Sequence, residues 1–196
     1  MMKIISRGLI LAILFVSCKA KTDPNEEWSA YAEQIVSNWQ GKKMSLPTDL
    51  PIVLPDSTSD LFNKNFSAPL KVVTFVDGTC GVCIGNLKHW QTFMDFVKQR
   101  KEKCDFIFYI QADDKDEFEK GVMSKLKLNF PWILDKNDRF ILENKLLDQR
   151  FQTALLDSNN EVLLIGSIMF NPKLEELYKK TIEQKSAEHS PLVSTK

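Results

Sequence analysis

The apolar, β-branched run Lys71 to Asp77 leads within three residues into Cys80-Gly81-Val82-Cys83. From Cys83 to Lys101 the residues Ile84, Leu87, Trp90, Met94 and Val97 then recur on one helical face. An unbroken apolar run reads as a buried strand, so the two cysteines stand where such a strand hands over to an amphipathic helix. A strand of this kind cannot be stable alone. It needs neighbouring strands on its edges and helices over its faces.

The remaining pattern supplies them. Cys104 to Ile110 reads as a second strand, Asp116 to Leu128 as a helix with acidic residues in its first turn, Pro131 to Leu134 as a short strand, and Asp138 to Leu146 as a short helix. The apolar runs Thr153 to Leu156 and Val162 to Ile165 flank Asp157-Ser158-Asn159-Asn160, whose short polar side chains favour a hairpin turn. Asn171-Pro172 caps a last helix carrying Leu174, Leu177, Tyr178 and Ile182. The expected class is α/β, a mixed β-sheet flanked by helices. With 196 residues, 43% of them hydrophobic and 10% aromatic, the chain has material for one core. Trp28, Trp39, Trp90 and Trp132 fall in periodic or strand segments and are expected in that core.

Ahead of this pattern, Asp23-Pro24 starts a helix with Trp28, Tyr31, Ile35 and Trp39 at helical spacing, closed by Gly41. Pro47, Pro51, Pro55 and Pro69 then permit only short extended pieces such as Ile52-Val53-Leu54. Residues 18–69 therefore read as a tether and an N-terminal helical and extended extension, 70–184 as the α/β domain, and 185–196 as a disordered tail.

Two cysteines at this spacing at a strand-to-helix junction suit disulfide chemistry. Cys80 would lie at the helix N-terminus, where unpaired N–H groups and the positive end of the helix dipole stabilise a thiolate. Cys83, one turn on and more enclosed, can resolve a mixed disulfide. Gly81 would let a partner backbone approach, and Val82 adds no charge; both are candidate docking residues. A fixed structural disulfide or two buried thiols is the competing reading. Zinc would need two more ligands, and Cys104, His89 and His189 lie at no metal-site spacing. Ile84 follows Cys83, which closes covalent haem attachment, and the residues before Cys80 lack the pattern of a lone peroxidatic cysteine. Cys104 reads as a packed strand residue, His89 as solvated, and Asp113-Asp114 as part of a helix start rather than a calcium loop. The chemistry calls for no cofactor or metal. The 26 basic and 26 acidic residues form no basic block, which gives no reason to expect a nucleic-acid partner.

Lys3 and Arg7 precede the uncharged run Gly8 to Val16, too short to span a bilayer, and Leu14-Phe15-Val16-Ser17-Cys18 follows. This resembles the signal of bacterial lipoproteins, with residues 1–17 cleaved and Cys18 lipidated, although Phe15 stands where leucine is usual. Loss of Lys3 and Arg7 would leave a net charge of −2, so lipid on Cys18 rather than charge would attach the chain to a membrane. The resemblance implies a cell-envelope location facing the periplasm or exterior, where disulfides persist.

From Val72-Val73-Thr74-Phe75-Val76-Asp77-Gly78-Thr79-Cys80-Gly81-Val82-Cys83, Phe130-Pro131-Trp132-Ile133-Leu134-Asp135 and the hairpin Thr153 to Gly166, the chain resembles the thioredoxin superfamily over about Leu70 to Gln184. Within it the similarity is to membrane-anchored, periplasm-facing thiol-disulfide oxidoreductases (TlpA-like) and their peroxiredoxin-like (AhpC/TSA-like) neighbours. The resemblance implies a nucleophilic Cys80, a resolving Cys83, exported protein thiols or disulfides as clients, and a redox recycling partner. Three departures stand out. Thr79 occupies the usual tryptophan position, Thr74 the buried acid position, and Phe151 the place expected for a substrate-facing cis-proline. A binding or scaffold module with a structural or vestigial cysteine pair is the alternative from another functional class.

Overall fold

The computed structural model describes residues 24–54 and 66–188; the leader, Cys18 and residues 189–196 lie outside them. The chain divides into two compact units, Met1–Gln34 and Ile35–Lys196, with the boundary inside helix α1 (Pro24–Trp39). In the first unit Trp28 and Tyr31 bring their rings within 5.7 Å and are 37% and 39% exposed, so Trp28 is not the core residue its spacing suggests. None of the described helices is long and apolar enough to cross a membrane.

The second unit is built on a mixed sheet with the spatial order β1 (Ile52–Val53), β4 (Trp132–Leu134), β3 (Cys104–Gln111), β2 (Leu70–Asp77), β5 (Thr153–Leu156), β6 (Val162–Ile165). Strand β2 is central. It runs parallel to β3 from Leu70 beside Cys104 to Asp77 beside Gln111, and antiparallel to β5, with Thr74 opposite Thr153. The hairpin between β5 and β6 is held as its sequence suggests: Asp157 Oδ1 accepts the N–H groups of Asn159 and Glu161. Lys71 is buried against this turn and gives its three ammonium donors to the Asp157 and Ser158 carbonyls and Asn160 Oδ1, which is why a lysine is tolerated there.

Because side chains alternate along a strand, β2 and β3 build two different faces. On one, Leu70, Val72, Val76, Phe108 and Ile110 form a single cluster with Leu87, Trp90, Phe93 and Val97 of α2 (Gly81–Gln99). Tyr178 and Ile182 of α6 (Pro172–Glu188) join the same cluster, as do Phe118 and Met123. The last two come from a helical stretch in which a π turn, Glu119–Met123, joins α3 (Lys115–Phe118) to α4 (Ser124–Leu126). Trp90 meets Phe108 edge-on at 5.6 Å, and Leu87 has no exposed surface, so its truncation to alanine would cost about 3 kcal/mol. Phe93 rather than the expected Met94 fills the third core position of α2.

The opposite face is closed more sparely. Tyr109 stacks on Phe140 of α5 (Arg139–Glu143) at 4.7 Å, and its hydroxyl donates to the Pro47 carbonyl. The segment carrying Pro47 is a strap across the sheet. At one edge Gly41 N–H donates to the Val162 carbonyl, Val162 N–H to Lys42 and Met44 N–H to Asn160; at the other, β1 pairs antiparallel with β4. In between, Arg139 forks onto both oxygens of Asp49, and Asn144 exchanges two hydrogen bonds with the Ser45 backbone. Residues before position 70 thus cover both sheet edges, which would otherwise present unpaired backbone groups. Gly41, at φ +73°, makes the turn from α1 into this strap.

At the other end, α6 begins as expected, with Asn171 Oδ1 accepting from Lys173 and Leu174 N–H. It continues beyond the expected start of a disordered tail at residue 185. Ser186 is buried and its hydroxyl accepts the Lys103 N–H, because the helix is still packed against the turn before β3.

Candidate redox site

At its C-terminal end β2 stops abruptly. Gly78 N–H donates to the Gln111 carbonyl, and a Cβ on Gly78 would run into that same oxygen, so only glycine lets the chain leave the sheet so close to β3. Asp77 Oδ1 then gathers the N–H and hydroxyl of Thr79 at 2.8 and 2.7 Å, tightening the turn. Cys80 follows as the N-cap of α2 in extended conformation, and its Sγ accepts the Cys83 N–H at 3.2 Å. The sulfur therefore lies among the free N–H groups of a nineteen-residue helix, where negative charge is stabilised. Cys80 and Cys83 are joined as a disulfide with their Cα atoms 5.2 Å apart, and both are half-buried. Gly81 is exposed with open space around it, and Val82 is 69% exposed.

The pair borders a cleft of about 430 Å³. Thr74, Asp77 and Thr79 line it from β2 and its turn, Asn86 and Trp90 from α2, and Asp138 and Ile141 from the start of α5. Gln149, Gln152, Thr153, Ser167 and Met169 complete much of the remaining wall. Where the resemblance would put a buried acid there is instead a hydroxyl pair, Thr74 Oγ1 to Thr153 Oγ1 at 2.8 Å. Phe151, taken as the substrate-facing residue, is buried in the turn Gln149–Phe151 and does not line the cleft. Gln152, one residue on, lines it. Its carbonyl accepts Phe75 N–H and its side-chain amide donates to the Leu146 carbonyl. Within the described residues every peptide bond is trans. The helical turn Gln149–Phe151 before β5 sets this register, turning Phe151 inward and Gln152 toward the cleft.

Asp138 escaped sequence reading except as a helix start. It lies at the N-cap of α5 with φ +54°, a left-handed conformation that aspartate and asparagine tolerate better than most side chains, and it makes no side-chain cap bond. Capping is done by Asp135, fully buried, whose two oxygens accept the Arg139 and Phe140 N–H groups. Asp138 Oδ1 is buried without a hydrogen-bond partner among the described residues. Burial, with the neighbouring carboxylates Asp135 and Asp77, holds the Asp138 pKa above the usual carboxylate value.

The third described cysteine, Cys104, and the described histidine, His89, are elsewhere. Cys104 opens β3 at the far end of the sheet, beside Leu70, and burial pushes its thiol pKa up, the reverse of what a reactive thiol needs. His89 is not simply solvated, since its Nε2 lies 2.9 Å from Glu175 Oε2 of α6.

No protein-family model matches the chain, and no curated protein does. Solved structures do. The crystal structure of the thioredoxin domain of a thiol-disulfide oxidoreductase from Bacteroides vulgatus is similar with TM-score 0.50 and 13% identity, covering 73% of this chain and 97% of that one. The solution structure of a thiol:disulfide interchange protein from a Bacteroides species is similar with TM-score 0.50 and 11% identity, covering 72% of this chain and 91% of the other. The sheet order, the flanking helices and this likeness define a thioredoxin-like fold, as found in thiol-disulfide oxidoreductases, with a bonded cysteine pair at the start of its first sheet-covering helix.

Proposed function

We propose that this protein is a thiol-disulfide oxidoreductase acting on exported proteins, with Cys80 as nucleophile and Cys83 as resolving cysteine. The observation that carries the reading is the half-buried Cys80–Cys83 bond lining the cleft, with the Cys80 sulfur accepting an N–H at the N-terminus of a long helix. A thiolate stabilised there attacks a client disulfide near neutral pH, and Cys83 then displaces the client from the mixed disulfide. Exposed Gly81 and Val82 would meet the client beside the sulfurs, with Gln152 among the residues lining the cleft. The leader and Cys18, outside the described residues, support a lipid-anchored protein of the bacterial envelope, where a separate redox partner recycles the pair. Detergent-phase partitioning and mass of the mature N-terminus test that part: a Cys18→Ala chain is expected to lose both lipid and membrane attachment.

The chemistry is tested by equilibrating the full chain in glutathione or dithiothreitol buffers and trapping free thiols. A reversible couple between about −120 and −270 mV, the range of known exchangers, is the expected result, and its position, set against that of the recycling partner, gives the direction of electron flow. A pair locked below about −300 mV would instead mark a structural disulfide in a thioredoxin-fold binding module.

A further inference from the structure

The exchange just described requires Cys83 to lose a proton before it attacks, and the strand position that would offer a carboxylate in the resembling family carries Thr74 bonded to Thr153. The cleft nevertheless contains two carboxylates, Asp77 and Asp138. Asp77 is occupied: its Oδ1 takes both the N–H and the hydroxyl of Thr79. Asp138 is not, since Asp135 has taken over capping of α5 and leaves the Asp138 side chain with a buried oxygen that has no partner among the described residues. We propose that Asp138 is the proton acceptor for Cys83 in this cleft, an assignment that rests on the disulfide-exchange reading above.

The surroundings suit that use. Among the described residues no cation pairs with Asp138: Arg139 turns its guanidinium to Asp49 and Glu143, and Lys136 gives its ammonium to the Asp113 carbonyl. The charged groups acting on it are the carboxylates of Asp135, at the end of β4, and Asp77, at the end of β2. Together with burial they raise its affinity for a proton toward what a thiol can give up. The cleft is roomy enough for water to carry the proton between the two groups.

The step balances as follows. Cys80 thiolate attacks one sulfur of a client disulfide, forming the mixed disulfide and releasing the client's first thiolate, which takes a proton from solvent. Cys83 gives its proton to the Asp138 carboxylate and attacks the Cys80 sulfur. The Cys80–Cys83 bond forms, the client's second thiolate leaves, and it takes the proton back from Asp138. Two electrons pass from the cysteine pair to the client, and Asp138 ends as it began.

Asp138→Asn is a sharp test because asparagine keeps the shape and tolerates the same left-handed backbone. The full-length reduced chain is mixed with a small peptide bearing one intramolecular disulfide, quenched by alkylation, and the mixed disulfide and the product are separated by mass between pH 5 and 9. Cys83→Ser isolates the first attack. In the wild type the resolving rate is expected to vary little from pH 6 to 8. In Asp138→Asn it should fall about tenfold or more at pH 7 and climb with hydroxide concentration, so that mixed disulfide accumulates while the first attack is unchanged. A melting curve no lower than that of the wild type is the accompanying sign that the fold is kept. If the wild type exchanges disulfides and Asp138→Asn resolves at the same rate with the same pH profile, the assignment is overturned and the oxidoreductase reading stands. If neither the wild type nor Cys83→Ser forms a mixed disulfide, both fall together.

Discussion

At the end of β2 the chain enters α2 through Cys80, whose sulfur accepts an N–H of the helix it starts. Two strands away, at the end of β4, it enters α5 through Asp138, whose side chain accepts none of the helix N–H groups. Both residues are N-caps, and both line one cleft. The difference lies in who does the capping. In the first turn the chemically interesting atom is also the structural one, so helix formation and thiolate stabilisation are the same interaction. In the second, the two duties are split between neighbours: Asp135 holds the helix, and Asp138 is left with a buried carboxyl oxygen that has no partner among the described residues. A side chain relieved of a structural role is therefore more informative here than one that merely has the right chemistry.

The comparison can be broken at each turn. Cys80→Ser should give the largest effect, complete loss of exchange with a disulfide peptide, while Cys83→Ser should trap the mixed disulfide; non-reducing mass analysis distinguishes the two. Asp135→Ala removes two charge-assisted bonds from buried backbone N–H groups and should cost about 2 kcal/mol, read as a lower urea midpoint with unchanged slope. If Asp135→Ala were harmless, the division of labour at α5 would be wrong.

Asp138→Asn should act on stability in the opposite direction. Because the folded pKa of Asp138 lies above its unfolded value, the folded state binds more protons, and this side chain's penalty grows as pH rises from the ordinary carboxylate value through the raised one. The asparagine variant should therefore melt higher than the wild type at pH 7, and the two should converge below about pH 3.9. Smallest of all, Cys104→Ala should change the exchange rate less than about twofold, and Cys104 should resist alkylation in the native protein, since its raised pKa and its place at the far end of β3 keep it out of the reaction.

The strand, the cysteine pair and the helix were legible because the hydrophobic period changes from continuous to 3.6 across Cys80 to Cys83, and local sequence carries that signal. The closing hairpin was legible for a similar reason, with Asp157 and Asn160 announcing their own turn. What escaped depends on contacts far apart in sequence. Trp28 has the spacing of a core residue but is exposed, because periodicity says which residues share a face and not whether that face is covered. That Gln152 rather than Phe151 lines the cleft was not legible, since a single helical turn before β5 is invisible to an alternating pattern. Asp138 could not be singled out before the fold brought β2 and β4 to the same end of the sheet. In isolation, Asp135 and Asp138 are equally good caps.

The strap has a consequence for the order of events as the chain folds. Ile52 pairs with Ile133, and Gly41 and Met44 with Val162 and Asn160, so the earliest part of the second unit waits for almost the latest before either can settle. Contacts of such long sequence separation slow folding, because the intervening loop must be closed before they repay its entropy. Until the strap docks, with β1 on β4 and the stretch Gly41 to Met44 on the last hairpin, both edges remain open to pairing with other chains. For a chain made N-terminus first, the strap is thus the earliest part of the second unit to arrive and the last to dock, and it acts as the latch that ends that unit's exposure to aggregation.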